Sequence, residues 1–170
     1  MRLQQFAKQS ILSYTDPVRW AIEPARFRIV YSPDDLIGAD ARPQEPPRVL
    51  IVEDDYLVAS EAELALAEAG FTIVGIVSTA EEAVEKAAAE KVALVVMDVR
   101  LSGERDGVDA AIELFRGFGI RSIFASAYSN PDIRKRAEEA RPFAWLQKPY
   151  SKISLVGAVR AALRSGGRKH

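Results

Sequence analysis

The sequence predicts an α/β protein, a doubly wound five-stranded parallel sheet with a shorter extension at its N-terminus. From Arg48 onward, short apolar runs alternate with helical segments five times over. Two of those runs, Val49-Leu50-Ile51-Val52 and Leu94-Val95-Val96-Met97, are apolar at every position. A strand apolar on both faces is covered on both faces, which is the condition of a parallel sheet with helices on each side. Upstream, the stretch from Asp40 to Pro47 contains Pro43, Pro46 and Pro47, which forbid a continuous helix and favour an extended linker. The domain boundary is expected there, separating an extension over residues 1–47 from a domain over 48–167.

The first strand is expected over 49–53, followed by a helix over 56–69 that Gly70 closes where a left-handed cap is wanted. That helix carries Val58, Ala62, Ala65 and Ala69 on one face, spaced to lie on a sheet. Its neighbouring stripe, Leu57, Glu61, Leu64 and Glu68, mixes leucines with acids and is expected to stay outside. A strand over 71–77 leads to a helix over 79–90, which Thr79 and Glu82 open as a capping box. The third unit is a strand over 93–98 and a helix over 107–117. In the fourth, a strand over 121–126 precedes a helix over 131–140 that Asn130-Pro131 opens, proline being suited to an early helical position. The last strand runs over 143–147 and the last helix over 151–164.

Composition narrows the chemistry. With 170 residues the chain holds one ordinary domain and an extension, and its formal net charge of -1 recommends neither nucleic acid nor an anionic membrane. Cysteine is absent, which removes disulfides, thiolate metal sites and cysteine nucleophiles together. No apolar stretch is long enough to span a bilayer and no signal-peptide core opens the chain, so a cytoplasmic location is expected. The only histidine is the terminal His170, so a histidine phosphocarrier or a histidine-containing triad is not expected.

Asp98 ends one buried strand, and the cluster Glu53-Asp54-Asp55 ends another. Open α/β folds build their sites outside the C-terminal ends of such strands, so these carboxylates meet at one sheet edge. Two like charges about 4 Å apart near a protein surface repel by roughly 4 kcal/mol, so the cluster asks for a cation. Oxygen ligands alone favour magnesium. Ser126 ends the fourth strand and Lys148 follows the fifth within Gln147-Lys148-Pro149. An acid pair, a lone aspartate, a hydroxyl and a lysine therefore arrive in strand order at the same edge.

This arrangement, over roughly Pro47 to Arg164, resembles the receiver domain of bacterial two-component response regulators, a flavodoxin-like (β/α)5 fold. The resemblance implies that Asp98 takes a phosphoryl group from a sensor histidine kinase or a phosphotransfer protein. It implies that Mg2+ is held by Glu53, Asp54, Asp98 and the backbone carbonyl of Arg100, leaving Asp55 to cap the first helix. Lys148, before a cis proline, would supply further positive charge. Ser126 would be the switch hydroxyl that bonds the new phosphoryl oxygens. Trp145 stands where the family has its aromatic rotamer switch, usually Tyr or Phe, and reads equally well as a cover over the sheet edge. Arg100 and Tyr128, two residues after the phosphoacceptor and the hydroxyl, would control water attack; neither orients a water, so slow hydrolysis is expected.

One loop departs from the family pattern. Ser102 replaces a proline, and Ser102-Gly103-Glu104-Arg105 reaches Asp106-Gly107 with one residue extra, so the loop is expected to be floppier or differently shaped. The outer stripe Leu57, Glu61, Leu64 and Glu68 is expected to dock the kinase. Residues 1–47 hold five of the chain's fourteen aromatics and balance six basic with six acidic residues. They are expected to form an ordered arm, with a homodimer arising through the extension or through helix five, where Ile153, Leu155, Val156 and Val159 offer a surface. Only Ser165 to His170 follow the last helix, so a stand-alone receiver without an output domain is expected. The alternatives are a degenerate receiver that only binds partners, and an aspartyl phosphatase of the haloacid dehalogenase kind. The latter wants an Asp-x-Asp after the first strand, where this chain has Val-Glu-Asp-Asp.

Overall fold

A computed structural model of the chain describes residues 45–127 and 130–166. Five strands, β1 (Arg48–Val52), β2 (Thr72–Val77), β3 (Leu94–Asp98), β4 (Ser122–Ser126) and β5 (Ala144–Gln147), form one parallel sheet in the order β2-β1-β3-β4-β5. The helices between and after them are α1 (Tyr56–Glu68), α2 (Ala80–Ala89), α3 (Gly107–Phe118), α4 (Pro131–Ala137) and α5 (Lys152–Gly166). Each predicted strand and helix is present within a residue or two, except that the predicted helix over 131–140 divides. α4 stops at Ala137, and Glu138–Ala140 tighten into a 3-10 turn that ends with Arg141 at φ 46°.

Alternation of side chains along each strand produces the two covered faces. Val49, Ile51, Leu94, Val96 and Ile123 point to one face and pack against Ala59, Ala62 and Leu66 of α1 and Leu155, Val159 and Ala162 of α5. Leu50, Val52, Val95, Met97 and Phe124 point to the other and meet Ala83 and Ala87 of α2, Ala110, Ala111 and Leu114 of α3, and Ala137 of α4. Each fully buried Val, Leu, Ile or Phe contributes about 1.5–3 kcal/mol relative to exposure. Alanines on the helix faces let the helices approach the sheet closely, which fixes strand ends and loops in place.

Two sequence expectations need correction. Residues Ala59, Ala62, Ala65 and Leu66 form the buried face of α1, while Val58 and Ala69 lie at its margin. The bulk of Leu66 draws the helix round by part of a turn, and an alanine-rich face resists little. In α5, Leu155 and Val159 are fully buried in the core of their own domain, so only Ile153 and Val156 remain for a surface. The loop between β3 and α3, expected to be floppier or differently shaped, carries ion pairs to its neighbouring helices. Arg105 pairs with Glu113 of α3 at 2.5 Å and with Glu81 of α2 at 3.7 Å, and Arg136 of α4 pairs with Asp106.

The caps follow the sequence. Asp55 accepts from the amides of Leu57 and Val58, Thr79 and Glu82 form a reciprocal capping box, and Asn130 accepts from the amide of Asp132. Gly70 takes φ 89° after α1. Expectations on residues 1–44, Tyr128 and the terminal residues 167–170 lie outside the described residues.

Candidate functional site

The sheet edge at the C-terminal ends of β1, β3, β4 and β5 collects the site. Glu53 follows β1 directly, and its amide donates to the carbonyl of Val77 at 2.9 Å, so pairing with β2 continues past Val52. That leaves Glu53 only 5% exposed. Asp54, next in the chain, is exposed, and Asp55 turns away to cap α1. Asp98 is the last residue of β3, in register with Ala125 of β4, which places Ser126 one residue further along the same edge. Ser126 is buried, and its carbonyl accepts from the amide of Lys148 at 2.9 Å, fixing the start of the β5–α5 loop beside β4. The Lys148–Pro149 peptide bond is cis.

Carboxylate oxygens of Glu53, Asp54 and Asp98 lie within 4.8 Å of one another. Lys148 bridges two of them: its Nζ donates to Glu53 Oε2 at 2.5 Å and to Asp98 Oδ2 at 2.6 Å. The other oxygen of Asp98, Oδ1, accepts from the amide of Arg100 at 3.2 Å. Asp54 Oδ2 accepts from the hydroxyl of Ser102 at 3.2 Å. Gly107 opens α3 against the carbonyl of Asp98, where an added Cβ would stand 1.8 Å from that oxygen. No side chain fits there, so glycine lets α3 begin close under the end of β3.

Three carboxylates gather around one ammonium that reaches only two of them, and the electrostatics reflect the shortage. Burial pushes the Glu53 carboxyl up to about 7, helped by the charge of Asp98 and only partly opposed by Lys148. Burial works against the charge of Lys148, but hydrogen bonds to Asp98 and Glu53 prevail and hold it above the ordinary lysine range. Tyr150, half-buried at the start of the loop into α5, is raised by burial, with Lys148 opposing. A dication answers the negative excess, and an all-oxygen donor set with converging carboxylates fits magnesium.

The structure thus brings together Glu53, Asp54, Asp98, Ser126 and Lys148, with the Arg100 backbone at their margin. Trp145 lies outside this group, stacked on Phe124 at 4.5 Å between ring centroids with an interplanar angle of 24°. The guanidinium of Arg134 on α4 sits 4.7 Å from the centre of its ring. Leu57, Glu61, Leu64 and Glu68 are all exposed on α1, and Glu68 pairs with Lys152 of α5 at 3.3 Å. Residues that sequence reasoning did not place in the site are Ser102, Gly107 and Tyr150. The Asp-Gly helix start was visible, but its close contact with Asp98 depends on how α3 seats. Ser102 is 48 residues from its partner Asp54, and no local pattern joins them.

A doubly wound sheet whose strand ends gather a lysine-bridged acidic pocket beside a hydroxyl is built for phosphoryl or divalent-cation chemistry. The chain belongs to the response regulator receiver domains: the family's model, the response regulator receiver domain, matches residues 49–160. It is 39% identical over 124 residues to the transcriptional regulatory protein PdtaR of Mycobacterium tuberculosis, covering 73% of this chain and 60% of PdtaR. The phyllosphere-induced regulator PhyR of Methylorubrum extorquens is 28% identical over 130 residues, covering 76% of this chain and 48% of PhyR. The chain therefore spans about half to three fifths of the length of these curated relatives. Among solved structures, the signal receiver domain of a modulated diguanylate cyclase from Desulfovibrio desulfuricans is similar, with a TM-score of 0.67 and 31% identity. That match covers 71% of this chain and 95% of the other. Membership supports a signalling role over the phosphatase alternative. Among the described residues, no helix is long and apolar enough to cross a membrane.

Proposed function

We propose that the domain is a phosphoacceptor, in which Asp98 receives a phosphoryl group from the phosphohistidine of a sensor histidine kinase or phosphotransfer protein. The observation that carries this is the position of Asp98: ending a buried strand, 2.6 Å from the Lys148 ammonium and grouped with Glu53 and Asp54. A carboxylate oxygen of Asp98 attacks phosphorus in line, a P–O bond forms, the P–N bond to the donor imidazole breaks, and the imidazole leaves with the electron pair. Phosphoryl transfer proceeds through a dispersed anionic transition state, so the protein's work is positioning and charge neutralisation.

The Arg100 amide orients Asp98 through Oδ1, and Lys148 sits at Oδ2, ready to follow charge onto the phosphoryl oxygens. Glu53, Asp54, Asp98 and the Arg100 carbonyl are the groups to hold Mg2+, which when bound neutralises charge on the transferring group. Ser126 donates its hydroxyl to the new phosphoryl group in this reading, which its burial one residue beyond the register partner of Asp98 supports. Trp145, held between Phe124 and Arg134, links β5 to α4, so a change at Ser126 and Lys148 reaches partners through that helix.

The receiver spans 48–167 in this reading, and residues 1–47 are an extension to it. The exposed stripe Leu57, Glu61, Leu64 and Glu68 is the kinase-docking surface. Incubation with acetyl phosphate tests the reading: labelling is expected with magnesium and is expected to vanish with chelator. Labelling indifferent to chelator overturns it.

A further inference from the structure

Among the three carboxylates, Lys148 reaches Glu53 and Asp98 but not Asp54. Asp54 has instead a neutral partner, the hydroxyl of Ser102, 3.2 Å from Oδ2. The distinction matters chemically. A lysine or arginine would orient this carboxylate and cancel its charge, whereas a hydroxyl donor restricts its rotation and leaves the charge for a cation. Asp54 is also the exposed member of the group, with water free to compete for its rotamers. Ser102 is itself held. Its loop turns through Gly103 at φ 108° and is tied by Arg105 to α2 and α3, so the hydroxyl is presented on a braced segment.

From this geometry we infer that Ser102 is a positioning residue for cation binding, aiming the Asp54 carboxylate into the acidic pocket from the loop after Asp98. A proline at this position has neither hydroxyl nor amide to offer, so the longer loop brings a polar tie where a stiffer one would bring none. The inference rests on the proposed magnesium site and deepens it.

The test is calorimetric titration of magnesium into the full chain without phosphodonor, comparing the unaltered protein with Ser102→Ala, Ser102→Thr and Asp54→Asn. Hydrogen bonds to charged groups are among the stronger ones, and this one is solvent-accessible, so Ser102→Ala is expected to weaken magnesium binding about 3- to 10-fold. Ser102→Thr retains the hydroxyl and is expected to stay within about 2-fold, while both variants keep the melting temperature of the parent. Asp54→Asn with Ser102→Ala is expected to bind no more weakly than Asp54→Asn alone, since the serine then has no carboxylate to aim. Equal affinity in Ser102→Ala and the parent overturns the proposal, as does a Ser102→Thr variant as weak as Ser102→Ala. If the unaltered chain binds no magnesium while remaining folded, the cation site itself is wrong and the positioning role falls with it.

Discussion

Glu53 lies deep in the pocket, and its carboxyl is pushed up to about 7, above its ordinary value of 4.5. It therefore binds its proton more tightly in the fold than in the unfolded chain. The associated stability is fully present below the ordinary carboxylate range and is lost as pH rises through about 7. Without metal, the parent is expected to lose up to about 3 kcal/mol between about pH 5 and pH 8 relative to Glu53→Gln, as read by urea denaturation. Added magnesium is expected to flatten that difference, because the cation favours the ionised acid. Parallel stability curves for the two proteins speak against the assignment. Arg100, exposed two residues beyond Asp98, offers no carboxylate or amide side chain to orient a water. Arg100→Asn is thus expected to shorten the half-life of the phosphorylated protein, measured by loss of label, and an unchanged half-life would remove Arg100 from that role. At this scale the acids and lysine were legible because strand ends converge by topology. Ser102 and Tyr150 were not, since their positions depend on loop paths that no periodicity records.

Among the described elements, α1 and the neighbouring start of α5 carry large exposed apolar side chains. Leu57 is 73% exposed and Leu64 53%, and Ile153 of α5, 86% exposed, borders a groove that Ala65, Glu68 and Val156 also line. Burying such a leucine against a partner contributes on the order of 1–3 kcal/mol. Leu64→Arg is accordingly expected to slow transfer from the kinase by about 10-fold or more while leaving labelling by acetyl phosphate intact. Equal loss of both activities indicates damage to the fold instead. The outer stripe was readable from spacing, because leucines alternating with acids have no place in a core. The buried face was read a fraction of a turn off, because alanine marks a helix face weakly and Leu66 decided the rotation. Helix α5 misled in the other direction: its apolar positions were visible, but whether they face the sheet or a partner is settled only when the two core clusters are assembled.

At the scale of the whole domain, the described residues after Pro47 form two core clusters, one on each face of the sheet. A domain with its own covered sheet folds without help from upstream residues. Removal of residues 1–42 is therefore expected to leave a cooperative unfolding transition and phosphorylation in place. Light scattering on the same variant tests the expected homodimer through the extension: a change from two protomers per particle to one supports it, and an unchanged number of protomers removes the extension from that role. Loss of the folded state on truncation would contradict the independence of the receiver. The fold was legible at this scale because strand and helix periods alternate without interruption from Arg48. The central claim, that Asp98 is the phosphoacceptor, is tested most directly by locating the label. After phosphorylation by acetyl phosphate or a kinase in magnesium, borohydride reduction and peptide mass spectrometry are expected to place it on Asp98 alone, with none in Asp98→Ala. A label on another residue, or undiminished labelling of Asp98→Ala, would contradict the account.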